Sequence, residues 1–431
     1  MTSITTRVNF TNGLTVHLKE IHTAPLISFW VWYRVGSRNE VPGKTGLSHW
    51  VEHMQFKGTS RFPGTLLDKS ISREGGSWNA MTHLDWTTYY EKMPAGRIDL
   101  ALQLEADRML NSIFDPQEVE SERTVIISEL EGNENEPLFR LDDAMQHAAF
   151  DQHPYRHEVI GEKVDLWQIQ RDDLYRHYRT YYTPNNAVVA VAGDFSTEEM
   201  LARLGELYGG IPAGEPVEHR IPLEPPLQAE RRVELTGPGE TTYLRQIYRA
   251  PEGRNPDFFA FSVLDSLLSG PSGLFLSGGG LSNKTSRLYQ ALVDEGLAIS
   301  ISGGLPATID PFLYSITAIV HPDHSAQEVQ QAIDDQIHRL QDEPAPPEEL
   351  TRAIKQARAL FAYGTENITN QAFWLGCAEM FADYAWFEQY MERIAQVTPE
   401  DVMRIARTYL VEERRVSGVY LPQGGSEEGE E

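Results

Sequence analysis

The chain has 431 residues, 41% hydrophobic and 10% aromatic, enough for two well-cored domains of about 200 residues each. With 63 acidic against 37 basic residues the formal net charge is −26, which excludes the clustered Lys/Arg surface that nucleic acid or an anionic membrane requires and suits basic or neutral peptides. The single cysteine, Cys377, excludes an internal disulfide and a cysteine-based zinc site, and no run of about 18 apolar residues is present to cross a membrane. The N-terminal stretch goes straight into strand-like alternation with no charged-then-apolar leader, so a cytoplasmic protein is expected.

In chain order, RVNFTNGLTV from Arg7 reads as strand, Asn-Gly turn and strand. LISFWVWYRV, residues 26–35, is an apolar run suited to a buried strand. A helix over 45–57 follows, then one over 63–74 that stops at Gly75-Gly76. SWNAMTHLDWTTYYEKM, from Ser77, alternates as two strands. Helical periodicity covers 96–112, 116–134, 137–150 and 165–181. Val188–Ala192 is a short buried strand, and STEEMLARLGELYGG, from Ser196, has the composition of a capped helix.

The chain resembles itself. QIQRDDLYRHYRTYY from Gln168 matches QVTPEDVMRIARTYL from Gln396 at an offset of 228. RVNFTNG from Arg7 matches RVELTGPG from Arg232 at an offset of 225. Two offsets so close predict a duplicated unit. The expected organisation is a first domain over 1–210, a proline-rich linker over 211–228, a homologous domain over 229–423 and a disordered acidic tail over 424–431. Strands first, then mixed helices and strands, favour an α+β fold with an antiparallel-rich mixed sheet packed with helices in each domain.

Within the helix over 45–57 stands HWVEH, with His49, Glu52 and His53 on one face because three- and four-residue spacings align on a helix. Such a face is either a metal clamp or a polar stripe. Two imidazole nitrogens suit zinc, and a catalytic zinc site wants a third protein ligand. The best candidate lies in ESERTVIISELEGNENEP, where Glu122 and Glu129 share a face two turns apart. Val125 and Ile126 between them are expected to supply an apolar patch for burial, and a half-buried carboxylate there needs a cation or hydrogen bonds.

GLSHWVEHMQFKGT, with Glu129 76 residues beyond His53, resembles the inverted-motif zinc peptidases of the pitrilysin-like family, which includes mitochondrial processing peptidase and insulin-degrading enzyme. GGSWNAMTHLDWTTYY, HPYRHEVIG and YYTPNNAVVAVAGDF match that family's pattern as well, so the resemblance spans essentially the whole chain. It implies a zinc endopeptidase with His49, His53 and Glu129 as ligands and Glu52 as general base. It implies Glu122 as the carboxylate orienting a ligand histidine, and Asn79 and Ala80 on an edge strand to which a peptide substrate pairs. Trp50 and Trp78 are expected in core packing.

The second half has no HxxEH. GGGLSNKT, from Gly278, has Asn283 where a phosphate loop needs glycine before the lysine, so it reads as a flexible glycine-rich loop and no nucleotide site. Family members carry an Arg and a Tyr in this half that grip the substrate near the scissile bond. Val293 and Ile299 stand at those places, and Arg287 and Tyr289 are too close in sequence to replace them. The resemblance therefore implies the zinc-bearing subunit of a pair, a heterodimer with a homologous Arg/Tyr-bearing partner enclosing a peptide-sized chamber. A self-sufficient homodimer and a non-catalytic structural subunit are the alternatives.

Overall fold

The computed structural model describes residues 5–217, 221–274 and 281–423. The tail expected over 424–431 lies outside them, as do 275–280 of the glycine-rich stretch and 218–220 of the proline-rich one. The first half runs β1 (Thr5–Asn9), β2 (Thr15–Glu20), β3 (Leu26–Tyr33), α1 (Leu47–Gln55), α2 (Gly64–Arg73), β4 (Ser77–Thr82), β5 (Thr87–Pro94), α3 (Ile98–Asn111), α4 (Pro116–Asn133), α5 (Pro137–Ala149), α6 (Lys163–Gln168), α7 (Arg171–Tyr181), β6 (Ala187–Gly193) and α8 (Thr197–Tyr208). The second runs β7 (Arg231–Gly237), β8 (Tyr243–Arg249), α9 (Asp257–Leu268), β9 (Ala298–Gly304), β10 (Leu313–Val320), α10 (Ala326–Asp342), α11 (Pro347–Tyr363), α12 (Ile368–Phe381), α13 (Tyr384–Ala395), α14 (Pro399–Tyr409) and β11 (Arg415–Pro422). The fold is α+β, with two tandem, topologically similar halves.

Two elements differ from the sequence expectation for local reasons. The helix expected over 165–181 is two helices, α6 and α7, because the Arg123 guanidinium takes the carbonyls of Leu166 and Ile169 that a continuous helix would use internally. Ser196 precedes α8 but its hydroxyl caps nothing; the Glu20 carboxylate accepts the Thr197 N–H instead.

The six-stranded sheet has the order β1-β2-β6-β3-β5-β4 and the five-stranded sheet β7-β11-β8-β10-β9. Without β1 the two orders correspond strand for strand, with one parallel pair (β2/β6, β7/β11) and antiparallel pairs elsewhere. The duplication is thus a duplication of topology, and α7 and α14 begin 228 residues apart, as the self-match predicts. Its start needs correcting. β7 stands where β2 stands, so RVNFTNG falls on β1, an edge strand without a counterpart among the described residues of the second sheet. Short alternating strands look alike in sequence, whereas pairing is a long-range property.

The compact units do not follow a single cut in the chain. One comprises Met1–Glu131, His157–Pro222 and Thr365–Phe387; the other comprises Gly132–Arg156, Leu223–Gly364 and Glu388–Glu431. In the first, α12 from the later half packs on β3 and β6. A Cβ at Gly376 would stand 2.1 Å from the Trp32 indole nitrogen, so only glycine allows this approach. Glu379 of α12 accepts from buried His17 of β2 at 3.1 Å, with Arg7 at 3.4 Å. In the second unit, α5 from the earlier half packs on β7 and β11. There Glu224, in the proline-rich stretch, accepts the backbone N–H groups of Asp151, Gln152 and His153 at 2.8, 2.9 and 2.8 Å.

Candidate metal centre

The site lies in the first unit, on α1 and α4. Gly46, at φ +88°, turns the chain into α1. No side chain of the cap residue serves the first N–H groups; the buried Glu40 carboxylate accepts from Gly46 N and Ser48 N, each at 2.7 Å. Burial pushes the Glu40 carboxyl up to about 8 against the pull of those bonds. Asp165 accepts from Thr45 N at 3.0 Å and Thr45 Oγ1 at 2.8 Å, fixing the preceding turn. Trp50, Val51 and Met54 are buried, and the opposite face carries half-buried His49 and His53, with Glu52 between them 9% exposed.

On α4, Val119, Ile126, Ile127 and Leu130 are buried. Val125 is not part of the expected apolar patch: it is 48% exposed, because one residue of rotation turns it away from Ile126's side. Glu122 is buried and Glu129 exposed.

One ligand atom each from His49, His53 and Glu129 lie within 4.8 Å of one another. His49 Nε2 is 3.9 Å and His53 Nε2 3.7 Å from the Glu129 carboxylate. These separations are too long for hydrogen bonds. They approach the spacing of about 3.3 Å between neighbouring donors around a tetrahedral ion with bonds near 2.0 Å. The donor set, two imidazoles and a carboxylate, suits zinc. His53 Nδ1 donates to Glu122 at 2.7 Å, which leaves Nε2 facing the cluster. Glu122 also pairs with Lys57. Burial alone would raise the Glu122 carboxyl; the bonds from His53 and Lys57 outweigh it and hold the group below the ordinary carboxylate value. Burial, then His53, lower His49 to about 3, so its ring is neutral and keeps a lone pair.

Glu52 reaches a different partner. The Thr82 hydroxyl at the end of β4 donates to Glu52 Oε2 at 2.5 Å. Burial raises the Glu52 carboxyl above its ordinary value, with Thr82 and His53 opposing. Thr82 and Lys57 both lie within the motif-like stretches and went unassigned in the sequence, because their partners are distant in the chain. Asn79 and Ala80 lie on β4, which closes one end of the six-stranded sheet. His83 N–H donates to Trp86 O at 2.8 Å, and antiparallel alternation then turns the backbone groups of Thr82, Ala80 and Trp78 away from β5. Ala80 N–H accordingly donates to its neighbour's Asn79 side chain at 2.9 Å. Trp50 is core, under Arg123 at 4.8 Å; Trp78 is half-buried against Phe56, 4.7 Å between centroids.

The sequence as a whole finds relatives with this architecture. Residues 15–163 match the model of the insulinase family, peptidase family M16, and residues 168–357 the model named peptidase M16 inactive domain. An uncharacterized zinc protease of Mycobacterium leprae is 30% identical over 94% of this chain and 89% of its own. The chain belongs to the M16 peptidase family. The probable mitochondrial-processing peptidase subunit beta of Arabidopsis thaliana is 28% identical over 93% of this chain and 75% of its own. The crystal structure of a protease from Helicobacter pylori superposes with a TM-score of 0.89 at 26% identity, covering 97% of this chain and all (100%) of that one.

In this M16 chain the second half offers neither a cation nor a hydroxyl at the two divergent places. Val293 ends a short π-helical turn, Tyr289–Val293, and Ile299 is 55% exposed on β9, where the ladder to β10 slips between Ala298 and Ser300. Arg287 is held by Glu349 at 2.9 Å, which accounts for it as a structural pair. Among the described residues no helix is long and apolar enough to cross a membrane.

Proposed function

We propose that this chain is a zinc-dependent endopeptidase of the HxxEH type that cleaves unfolded peptides, acting as the zinc-bearing subunit of a dimer. The observation that carries the reading is the convergence of His49, His53 and Glu129 within 4.8 Å with buried Glu52 on the same helix face. The cofactor is zinc, and His49, His53 and Glu129 would hold it. When bound, zinc lowers the pKa of a coordinated water and polarises the scissile carbonyl.

The chain's own residues do the rest. Glu122 fixes the tautomer of His53 by accepting from Nδ1. Glu52, raised by burial, takes a proton from the attacking water and delivers it to the leaving amine, so that the amide C–N bond breaks into a carboxylate and an amine. The outward backbone groups of Ala80 and its neighbours on β4 pair with an extended substrate as an added strand, a grip that is indifferent to most side chains. What the chain lacks is a cationic, hydrogen-bonding pair for the developing oxyanion at Val293 and Ile299. A homologous Arg/Tyr-bearing partner supplies it across a chamber that admits peptides. A cytoplasmic location belongs to this reading, and fractionation of cells tests it.

Purified protein should hold about one zinc per chain, and His53→Ala should abolish that stoichiometry. Mixing with an Arg/Tyr-bearing homologue should accelerate cleavage of an unstructured peptide. Equal rates with and without that homologue would favour the self-sufficient homodimer, and a metal-free wild type would favour the structural subunit.

A further inference from the structure

We infer that Thr82 is the positioning residue of the general base, and that it ties Glu52 to the strand edge on which substrate docks. The inference rests on the peptidase reading above. Thr82 is Glu52's hydrogen-bond partner among the described residues, and the contact, 2.5 Å, has the length of a charge-assisted O–H···O bond. It fixes Oε2 and so the rotation of the carboxylate, which leaves Oε1 as the oxygen for the water's proton. A carboxylate rotates freely about its last torsion unless something holds it, and Glu52 has no second side-chain anchor among the described residues.

Thr82 differs from any other donor that could serve because of where its backbone lies. It is the last residue of β4, paired with Thr87 of β5, and its N–H and C=O point to the open side of the strand along with those of Ala80 and Trp78. A β-branched side chain is stiff at χ1, so the hydroxyl follows the backbone. A peptide that pairs along β4 therefore holds the same residue whose side chain holds the base. The base is thus oriented from the same strand that sets the register of the substrate.

Thr82→Val keeps the backbone and the shape and removes the donor. In the zinc-loaded protein with its partner, kcat on an unstructured fluorogenic peptide should fall about 10- to 100-fold, the order expected for a base displaced by about 1 Å, with KM and zinc content close to wild type. Thr82→Ser should restore most of kcat. In a Glu52→Gln background Thr82→Val should cost nothing more, because the residue acts through the base. Crystals of the zinc-free Thr82→Val chain should show the Glu52 carboxylate rotated or divided between orientations while His49 and His53 stay in place. Wild-type kcat in Thr82→Val, a loss confined to KM or to zinc content, or an unmoved Glu52 in the zinc-free crystals would each overturn the inference. Full activity in Glu52→Gln would overturn the peptidase reading itself, whereas an inactive Glu52→Gln beside a fully active Thr82→Val would overturn only the role of Thr82.

Discussion

The helix that follows β3 in the first half and the one that follows β8 in the second occupy the same topological place, yet one face of α1 is open and α9 is sealed. Every residue of α9 from Phe258 to Leu268 is buried, while α1 leaves His49 and His53 half-exposed. Part of the difference is in α1 itself, which carries His49, Glu52 and His53, and part is in the opposing helices. Aligned on their leading prolines, Pro116 and Pro347, α4 and α11 place Ala353 where Glu122 stands and Leu360 where Glu129 stands. Both replacements are buried. With alanine there, α11 comes close enough for Ser266 of α9 to donate to the Ala353 carbonyl at 2.9 Å. With carboxylates there, α4 meets α1 through polar side chains: His53 bonds Glu122 at 2.7 Å, and one donor atom each from His49, His53 and Glu129 converge within 4.8 Å. A duplicated scaffold thus carries one packed interface and one polar cradle, and residues on both helices of each pair set the difference.

The largest effect should come from the polar copy's chemistry. Glu52→Gln should lower kcat at least about 100-fold with zinc retained; metal analysis beside turnover checks it, and zinc loss instead would make Glu52 a ligand. Next comes the attempt to force the first copy's residue on the second. Ala353→Glu puts a carboxylate at a site 2% exposed, beside the close contact with Ser266 of α9, and should destabilise by about 3–5 kcal/mol in denaturant unfolding. A neutral result would mean that α11 can accommodate a carboxylate as α4 does. The converse, Glu122→Ala, should weaken zinc binding about 10- to 100-fold, because His53 loses the acceptor that sets its tautomer. Unchanged zinc affinity would show that packing alone orients His53.

How much of this was legible in the sequence follows from the range of each interaction. α1, α2, α4 and the two strands from Ser77 were readable because periodicity, glycine stops and turns are local, and so was the common face of His49, Glu52 and His53. Glu129 was readable as a spacing within one helix. Thr82 was in view and had no assigned partner, because its bond to Glu52 depends on where β4 falls beside α1. The split of α6 from α7 depends on Arg123, more than 40 residues away in sequence. The exchange of α5 and α12 between units was not legible at all. Their apolar residues state that each helix must be covered, and FWLGCAEMF is buried all round, but no local pattern says which sheet does the covering.

Those two exchanged helices supply the finest test, since each is tied to its host sheet by a carboxylate with the opposite response to pH. Glu379 of α12 bonds His17 and pairs with Arg7; burial alone would raise it, yet these partners hold it below the reference value of 4.5. Asp142 of α5 lies 2.9 Å from Arg245 of β8, but burial outweighs that charge and raises it above 3.8. A lowered carboxyl contributes stability that is present above its unfolded value and is lost as pH falls through its folded value. A raised one contributes most below its unfolded value and loses that contribution as pH rises through its folded value. Glu379→Gln should therefore cost about 1 kcal/mol near neutrality, with the difference from wild type shrinking as pH falls below the ordinary carboxylate range. Asp142→Asn should show the reverse trend, its difference from wild type moving in the variant's favour as pH rises. Urea unfolding of both variants and the wild type across that range measures the two slopes. Slopes of the same sign would mean that the two exchanged helices are held by the same balance of burial and charge, and the contrast between them would fall.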